Sequence, residues 1–244
     1  MGDMLILKLD APLMSFGGVI VDEQGITRLF PGRAMLTGLC ANALGFEHRD
    51  FDRLEALQRR LRYAVRCDRP GKEIVDYQTV DLGQDFMQRG WTTRGRIEKR
   101  GGGNAATGTH IRFRRFLAYS FYTVALTLAP AEQTPTLDDL EAALREPARP
   151  LFIGRKPCLP SVPLLAGRWQ APTLLQALEA HPLAPGASDG SPLRAWWPAD
   201  EDTERPKSRL IPVTDDRDWH NQIHVGRRWI YEGTIHVRPT AVDD

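Results

Sequence analysis

The sequence predicts an α+β fold: a ferredoxin-like or RRM-type core carrying an inserted basic hairpin and ending in a C-terminal β extension. Three observations predict it. Residues 1–67 read as strand, helix, helix, strand. A strong strand returns at 121–128 and a capped helix follows it. Between these halves lies a cationic stretch at 89–115, RGWTTRGRIEKRGGGNAATGTHIRFRR. Alternating strands and helices around an insertion suit one α+β unit better than two separate domains. The 244 residues are therefore read as a single domain, with the hairpin insertion at about 78–116 and the extension at about 190–244.

In chain order, residues 4–9 (MLILKL) form a short apolar run expected to be a buried strand, closed by Asp10-Ala11-Pro12. Ser15-Phe16-Gly17-Gly18 is a loop with one aromatic among small residues. Pro31 suits a helix start, and Leu36, Leu39, Cys40, Ala43 and Leu44 repeat at helical spacing until Gly45. Arg28, Gly32 and Arg33 surround that start, so its free N–H groups make a candidate phosphate site; the alternative is that Arg33 only covers the first turn. A second helix spans 51–61. Tyr63, Val65 and Cys67 then alternate with Arg62 and Arg66, as in a strand with one solvated face. Residues 74–80 (IVDYQTV) lead into the basic stretch, and 121–128 (FYTVALTL) is rich in aromatic and β-branched residues. Thr136, with Asp139 three places on, caps a helix that Pro147 ends. Proline spacing makes 152–165 loop-like, with Arg155-Lys156 as a second basic point. A brief helix is expected at 173–180 and a mobile loop at 181–206, within which Trp196-Trp197 reads as local packing in preference to an exposed stacking pair. Segments 219–225 and 228–237 read as a hairpin turned near Gly226.

Most of the charge asymmetry sits in 89–115. Eight cations, Arg89, Arg94, Arg96, Lys99, Arg100, Arg112, Arg114 and Arg115, face one acid, Glu98, while the whole chain balances to +1. The run Gly101-Gly102-Gly103 divides them into two arms, and Ile111 and Phe113 alternate with Arg112 and Arg114. Such a ribbon, apolar on one face and basic on the other, can follow a phosphate backbone; the plainer reading is a solvated surface loop.

Other chemistries lack their patterns. No segment matches GxxxxGK[ST], HExxH or GxSxG. His220 and His224 are close in sequence but have no clustered carboxylate or thiol, so no metal or other cofactor is expected. Cys40, Cys67 and Cys158 are scattered among apolar or small neighbours and read as buried thiols of a reducing compartment. No run reaches transmembrane length, and a cytoplasmic, soluble protein is expected. The catalytic alternative is metal-independent RNA cleavage, for which His110, Tyr77, Tyr119 and Lys99 could supply a base and cations.

Several segments, LILKLDAPLMSFG, RLFPGRAMLTGLCANALG, LRYAVRCDRPG, IVDYQTV, THIRFRRFLAYSFYTVALTL and FIGRKPCLPSVPL, carry in this order a resemblance to the CasD family, a subunit family of type I-E CRISPR Cascade complexes. The resemblance implies an RRM-like palm with a β-hairpin thumb that caps the 5′ handle of the crRNA. It implies contact with the backbone subunits and the large PAM-reading subunit, with target DNA met only through the complex. It also implies binding without catalysis, although related subunits of another subtype do cut RNA. The RNA-contacting set expected on this basis is Phe16, Gly17, Arg28, Gly32, Arg33, Tyr77, Gln78, Arg94, Arg96, Lys99, Arg100, His110, Arg112, Arg155 and Lys156; Trp91, Ile111 and Phe113 are expected at a subunit interface. Two residues depart from the family pattern: Gln78 stands where the family often has histidine, and Tyr119 follows Ala118 where an acid is expected. Glutamine cannot serve as a proton-transfer base, which counts against catalysis.

Overall fold

A computed structural model of the chain describes residues 1–18, 23–87, 89–91, 96–99, 108–187, 190–201 and 205–237, with backbone only at Trp91. The strands are β1 (Gly2–Asp10), β2 (Leu13–Met14), β3 (Gln24–Gly25), β4 (Leu61–Arg69), β5 (Lys72–Asp81), β6 (Arg89–Trp91), β7 (Ile97–Lys99), β8 (Thr109–Ala118), β9 (Phe121–Leu128), β10 (Leu165–Ala171), β11 (Leu193–Pro198), β12 (Arg209–Val213), β13 (Asp216–Asp218), β14 (Ile223–Val225) and β15 (Arg228–Ile235). The helices are α1 (Arg33–Ala43), α2 (Phe51–Arg60), α3 (Leu137–Arg145) and α4 (Leu174–Ala180). It is a mixed α+β fold, and the elements expected at 4–9, 51–61, 121–128, 136–145 and 173–180 are all present.

The main sheet has seven strands in the order β10-β1-β9-β4-β11-β15-β12, antiparallel throughout. Alternation along β1 sends Leu5, Leu7 and Leu9 to one face and Met4 and Ile6 to the other. The first face carries the larger core, closed by α1, α2 and α3 through Leu36, Leu39, Leu54, Leu57, Leu140 and Leu144. The second is smaller and closed by α4, with Leu174, Leu175 and Leu178 against Ala64, Ala125 and Trp197. Thr136 and Asp139 form the reciprocal capping box of α3. Thr173 caps α4 through the Gln176 N–H at 3.1 Å.

Coverage of the second face overturns the expectation of a half-solvated β4. Arg66 is fully buried, donating to Asp68 Oδ1 at 2.7 Å, to the carbonyls of His181 (2.7 Å) and Pro182 (2.9 Å), and to that of Leu178. A cation can be buried there because every donor it offers meets an acceptor, several of them orphan carbonyls at the end of α4. The 181–206 segment is likewise not simply a loop. It contains β11, held between β4 and β15, with Trp196 on the larger core and Trp197 on the smaller. The expected 219–225/228–237 hairpin is replaced by other pairings: β14 pairs with β13, and β15 lies between β11 and β12. The three cysteines are buried and unpaired. Among the described residues no helix is long and apolar enough to cross a membrane.

A basic ribbon as candidate nucleic-acid interface

Outside the main sheet, β8 joins β2, β3 and β5 in a second sheet. The ladder between β5 and β8 runs unbroken from Lys72↔Ala118 to Asp81↔Thr109. This corrects the two arms expected across the glycine run. The partner of the Ile111/Phe113 strand is 72–81, while β6 and β7 make a short ribbon of their own. The physical reason is length: ten consecutive pairs of IVDYQTV-type sequence outcompete a three-residue segment. Ile74, Phe116 and Leu117 root the ribbon in the larger core.

Residues paired directly across an antiparallel ladder share a face. Tyr77 lies opposite Phe113, with centroids 5.6 Å apart and rings edge to face, and Val75, Thr79 and Ile111 share this side. Tyr77 is 57% exposed. Arg115 pairs with Glu73 at 2.5 Å on the same side. The other face carries Asp76, Gln78, Val80, His110, Arg112 and Arg114. At its base, β3 runs parallel to β8, placing Gly25 beside Arg114. A Cβ at Gly25 would stand 2.7 Å from Arg114 Nη1 and 3.0 Å from Arg155 Nη2, so the two guanidinium groups converge over one bare backbone position. Arg155 also packs over the Phe116 ring at 5.0 Å and donates to the carbonyls of Gly25 and Arg115 at 3.3 Å. Burial, and then the charge of Arg114, make Arg155 less basic than an ordinary arginine. Among the described residues, Arg112, Arg114 and Arg155 form no ion pair with a carboxylate. Arg114 and Arg155 converge, with Arg112 further along the same face; Asp76, opposite Arg114 on the ladder, and Glu23, whose carboxylate feels Arg112, offset part of this charge, and the cations that remain make a candidate anion site. Gly154 holds the loop that delivers Arg155. Its φ is +91°, and a Cβ there would fall 1.7 Å from the Ser15 carbonyl oxygen.

The start of α1 is not an open phosphate site, which corrects the reading of Gly32 and Arg33. The Arg33 N–H donates to Asp215 Oδ2 at 2.8 Å, and the Arg33 side chain is paired with Asp216. The carboxylate that complements the helix dipole therefore comes from the chain itself. Arg28 is drawn into the same segment, donating to the Thr214 carbonyl at 2.6 Å. Phe16 is corrected too. Its ring is fully buried, edge-on to Tyr122 at 5.1 Å, so it packs the core and offers no face to a base. Gly17 beside it is exposed.

Gln78 donates to Asp76 Oδ2 at 2.6 Å. Arg96, Lys99 and Lys156 are exposed, the first two at the β6–β7 ribbon. Arg94, Arg100 and the side chain of Trp91 lie outside the described residues. Tyr77 and His110 fall on opposite faces of the ribbon, and Tyr119 sits at the β8–β9 turn, so the expected RNA-cleaving set does not converge. Among the described residues no group of three or more His, Cys, Asp or Glu side chains is placed to hold a metal ion. Sequence reasoning missed Arg114 as a site residue, although the alternation in IRFRRF placed it beside Arg112. It also missed Asp215-Asp216, whose pairing with α1 has no local signal.

Over residues 4–231 the sequence matches the family described as CRISPR-associated protein (Cas_Cas5), and the chain belongs to that family. Among its relatives is the CRISPR system Cascade subunit CasD of Escherichia coli (strain K12). The two are 31% identical over 190 residues, covering 73% of this chain and 76% of that one. Two solved structures share the fold. A chain of a CRISPR RNA-guided surveillance complex superposes with a TM-score of 0.67 at 23% identity, covering 96% of this chain and 90% of that one. A Cas protein crystal structure superposes with a TM-score of 0.64 at 25% identity, covering 97% of this chain and 100% of that one.

Proposed function

We propose that this protein is a non-catalytic RNA-binding subunit of a type I-E CRISPR effector complex, Cascade, and that it grips and caps the 5′ handle of the crRNA. The observation that carries this reading is the convergence of Arg114 and Arg155 over Gly25, with Arg112 on the same face and no ion pair made by any of the three among the described residues, at the base of the β5–β8 ribbon. Single-stranded RNA is held by cations along its backbone and by aromatic faces against unstacked bases. The basic face supplies the first; Tyr77, exposed on the opposite face beside Phe113, supplies the second to a strand that wraps the edge of the ribbon. In this reading the strand order β10-β1-β9-β4, with α1–α3 on one side, is the palm of a single RRM-like domain, and β5–β8 is its thumb. Membership of the Cas5 family and likeness to a Cascade subunit support placing it in such a complex. Its partners are then the crRNA handle, the backbone subunits, which Ile111 and Phe113 meet, and the large PAM-reading subunit; target DNA is reached through the assembly. The separation of Tyr77 from His110, and glutamine at position 78, favour binding over endonucleolytic processing.

The test is the triple variant Arg112→Ala, Arg114→Ala, Arg155→Ala in the assembled complex. Handle RNA is expected to bind at least tenfold more weakly. The slope of log K against log salt should shrink by about 2, at roughly 0.7 per phosphate contact on a single strand. Unchanged affinity and slope would refute the assignment. Cleavage of repeat RNA by the wild-type chain in EDTA would restore the nuclease reading.

A further inference from the structure

The two faces of the main sheet are covered unequally. Helices α1, α2 and α3 close the first, whereas among the described helices the second has α4 alone, packed over β4, β9 and β10. At the far end of that second face lie β15 and the edge strand β12, whose ladder pairs Pro212 with Trp229 and Leu210 with Tyr231. Cross-strand partners share a face, and Tyr231 packs against the smaller core, so all four side chains stand on the α4 side. Burial falls off along β15 from Ile235, in the core, to Trp229, which is 45% exposed. On β12, Leu210 is 49% exposed and Pro212 is exposed as well. The solvated face of an antiparallel sheet is normally polar, and here all four positions are aromatic or aliphatic.

Charge narrows the choice of occupant. Among the described residues, the carboxylates around this patch are engaged: Asp200 by Arg62, Glu179 by Arg205, and Glu232 by Arg194 and Arg209. Arg227, stacked over the Trp229 ring at 5.3 Å, and the exposed Lys207 make no ion pair there. Lys207 precedes β12 and Arg227 precedes β15. Because the strands are antiparallel, the two cations bracket opposite ends of the patch, roughly 20 Å apart at about 3.3 Å per residue. A second copy of the chain fits poorly, since a two-fold axis through the patch sets cation against cation. An added strand fits poorly too, because Pro212 on the edge has no N–H to offer it. Aliphatic Leu210 and Pro212 between the cations favour an apolar partner surface over a polyanion.

We infer that the β12–β15 face is a docking surface for an amphipathic helix of another protein. Its apolar stripe lies on Trp229, Leu210, Pro212 and Tyr231, and acidic side chains near its two ends meet Arg227 and Lys207. Spanning the two cations takes about 14 helical residues at 1.5 Å each. A helix laid there extends the layer that α4 begins on this face of the sheet. Tryptophan and arginine, stacked here as Trp229 and Arg227, are the residue types that most often dominate interface energy. The inference rests on the reading of the chain as a subunit of a larger assembly and not on its grip on RNA, because this surface belongs to the main sheet and not to the sheet of β5 and β8.

The experiment replaces Trp229, and in a second variant Leu210, by the photo-crosslinking residue benzoylphenylalanine in the assembled complex, and maps the crosslinked peptides after irradiation. Both sites should crosslink to one segment of another protein subunit, with apolar residues at helical spacing and Asp or Glu towards both ends. Crosslinks confined to this chain, to a second copy or to RNA, or none from either site, would overturn the inference. Charge reversal gives a second measurement: Lys207→Glu with Arg227→Glu should lower co-purification of that subunit about tenfold. As exposed residues, the pair should leave the melting temperature of the free chain within about 2 °C. Undiminished co-purification would overturn the inference equally. If no subunit co-purifies with the wild-type chain, the assembly reading fails and the inference with it. If subunits do co-purify while crosslinks from 229 and 210 stay within this chain, the inference alone fails.

Discussion

Asp215 joins three parts of the chain through one carboxylate. Its oxygens accept from the Arg33 N–H at 2.8 Å, from Arg228 at 2.8 and 2.7 Å, and from the Tyr63 hydroxyl at 3.1 Å. Burial alone would raise its pKa, but the Arg228 guanidinium and the α1 N–H outweigh burial and hold it below the usual carboxylate value. A folded-state pKa below the unfolded value, about 3.9, means the stabilisation is present above that value and is lost as pH falls through the folded one. Asp215→Asn should therefore cost about 3 kcal/mol near neutral pH by leaving Arg228 buried with a broken ion pair. It should also flatten the acid limb of the melting profile. Equal destabilisation of both proteins between pH 5 and pH 2 in thermal denaturation would contradict this. None of it could be read locally, because 182 residues separate Arg33 from Asp215.

The β5–β8 ribbon shows what alternation can and cannot say. Ile111/Phe113 against Arg112/Arg114 marks two faces in the sequence, and the register keeps them apart. The partner strand was not legible, because IVDYQTV and the Trp91 segment both have β character and only ladder length discriminates between them. Tyr77 is exposed and outside the buried core, so Tyr77→Ala should cost the fold under about 1 kcal/mol, the scale of one aromatic pair. The same change should weaken RNA binding by about 1–3 kcal/mol if the ring stacks on a base. Ile111→Ser, at a site 40% exposed, should leave melting within about 0.5 kcal/mol and reduce co-purification with backbone subunits. RNA affinity unaffected by Tyr77→Ala, or assembly unaffected by Ile111→Ser, would remove that residue from the interface. Arg155 was readable as a cation, but its convergence with Arg114 over Gly25 depends on β3 pairing with β8 through two residues.

Across the whole molecule, the C-terminal strands complete the fold. Strand β11 pairs with β4 and places Trp196 and Trp197 in the two cores, while the 213–228 segment caps α1 and braces α2 through Arg217 and Gln58. A chain ending at residue 187 should consequently lack a cooperative melt by circular dichroism and be cleaved rapidly in limited proteolysis. A sharp transition in that fragment would show that β11–β15 are an appendage. What the sequence determined by itself was local: the helices and their stops, the strand runs, the capping box at Thr136 and the two-faced ribbon. These depend on periodicity and short-range hydrogen bonding, which are written in consecutive residues. Tertiary structure alone decided that Arg66 is buried, that Phe16 packs inward, that the α1 terminus is filled by Asp215, and that Arg114 meets Arg155. Each depends on which distant segment supplies a counter-charge, an acceptor or a covering face, and that is set by sheet order and not by neighbours along the chain.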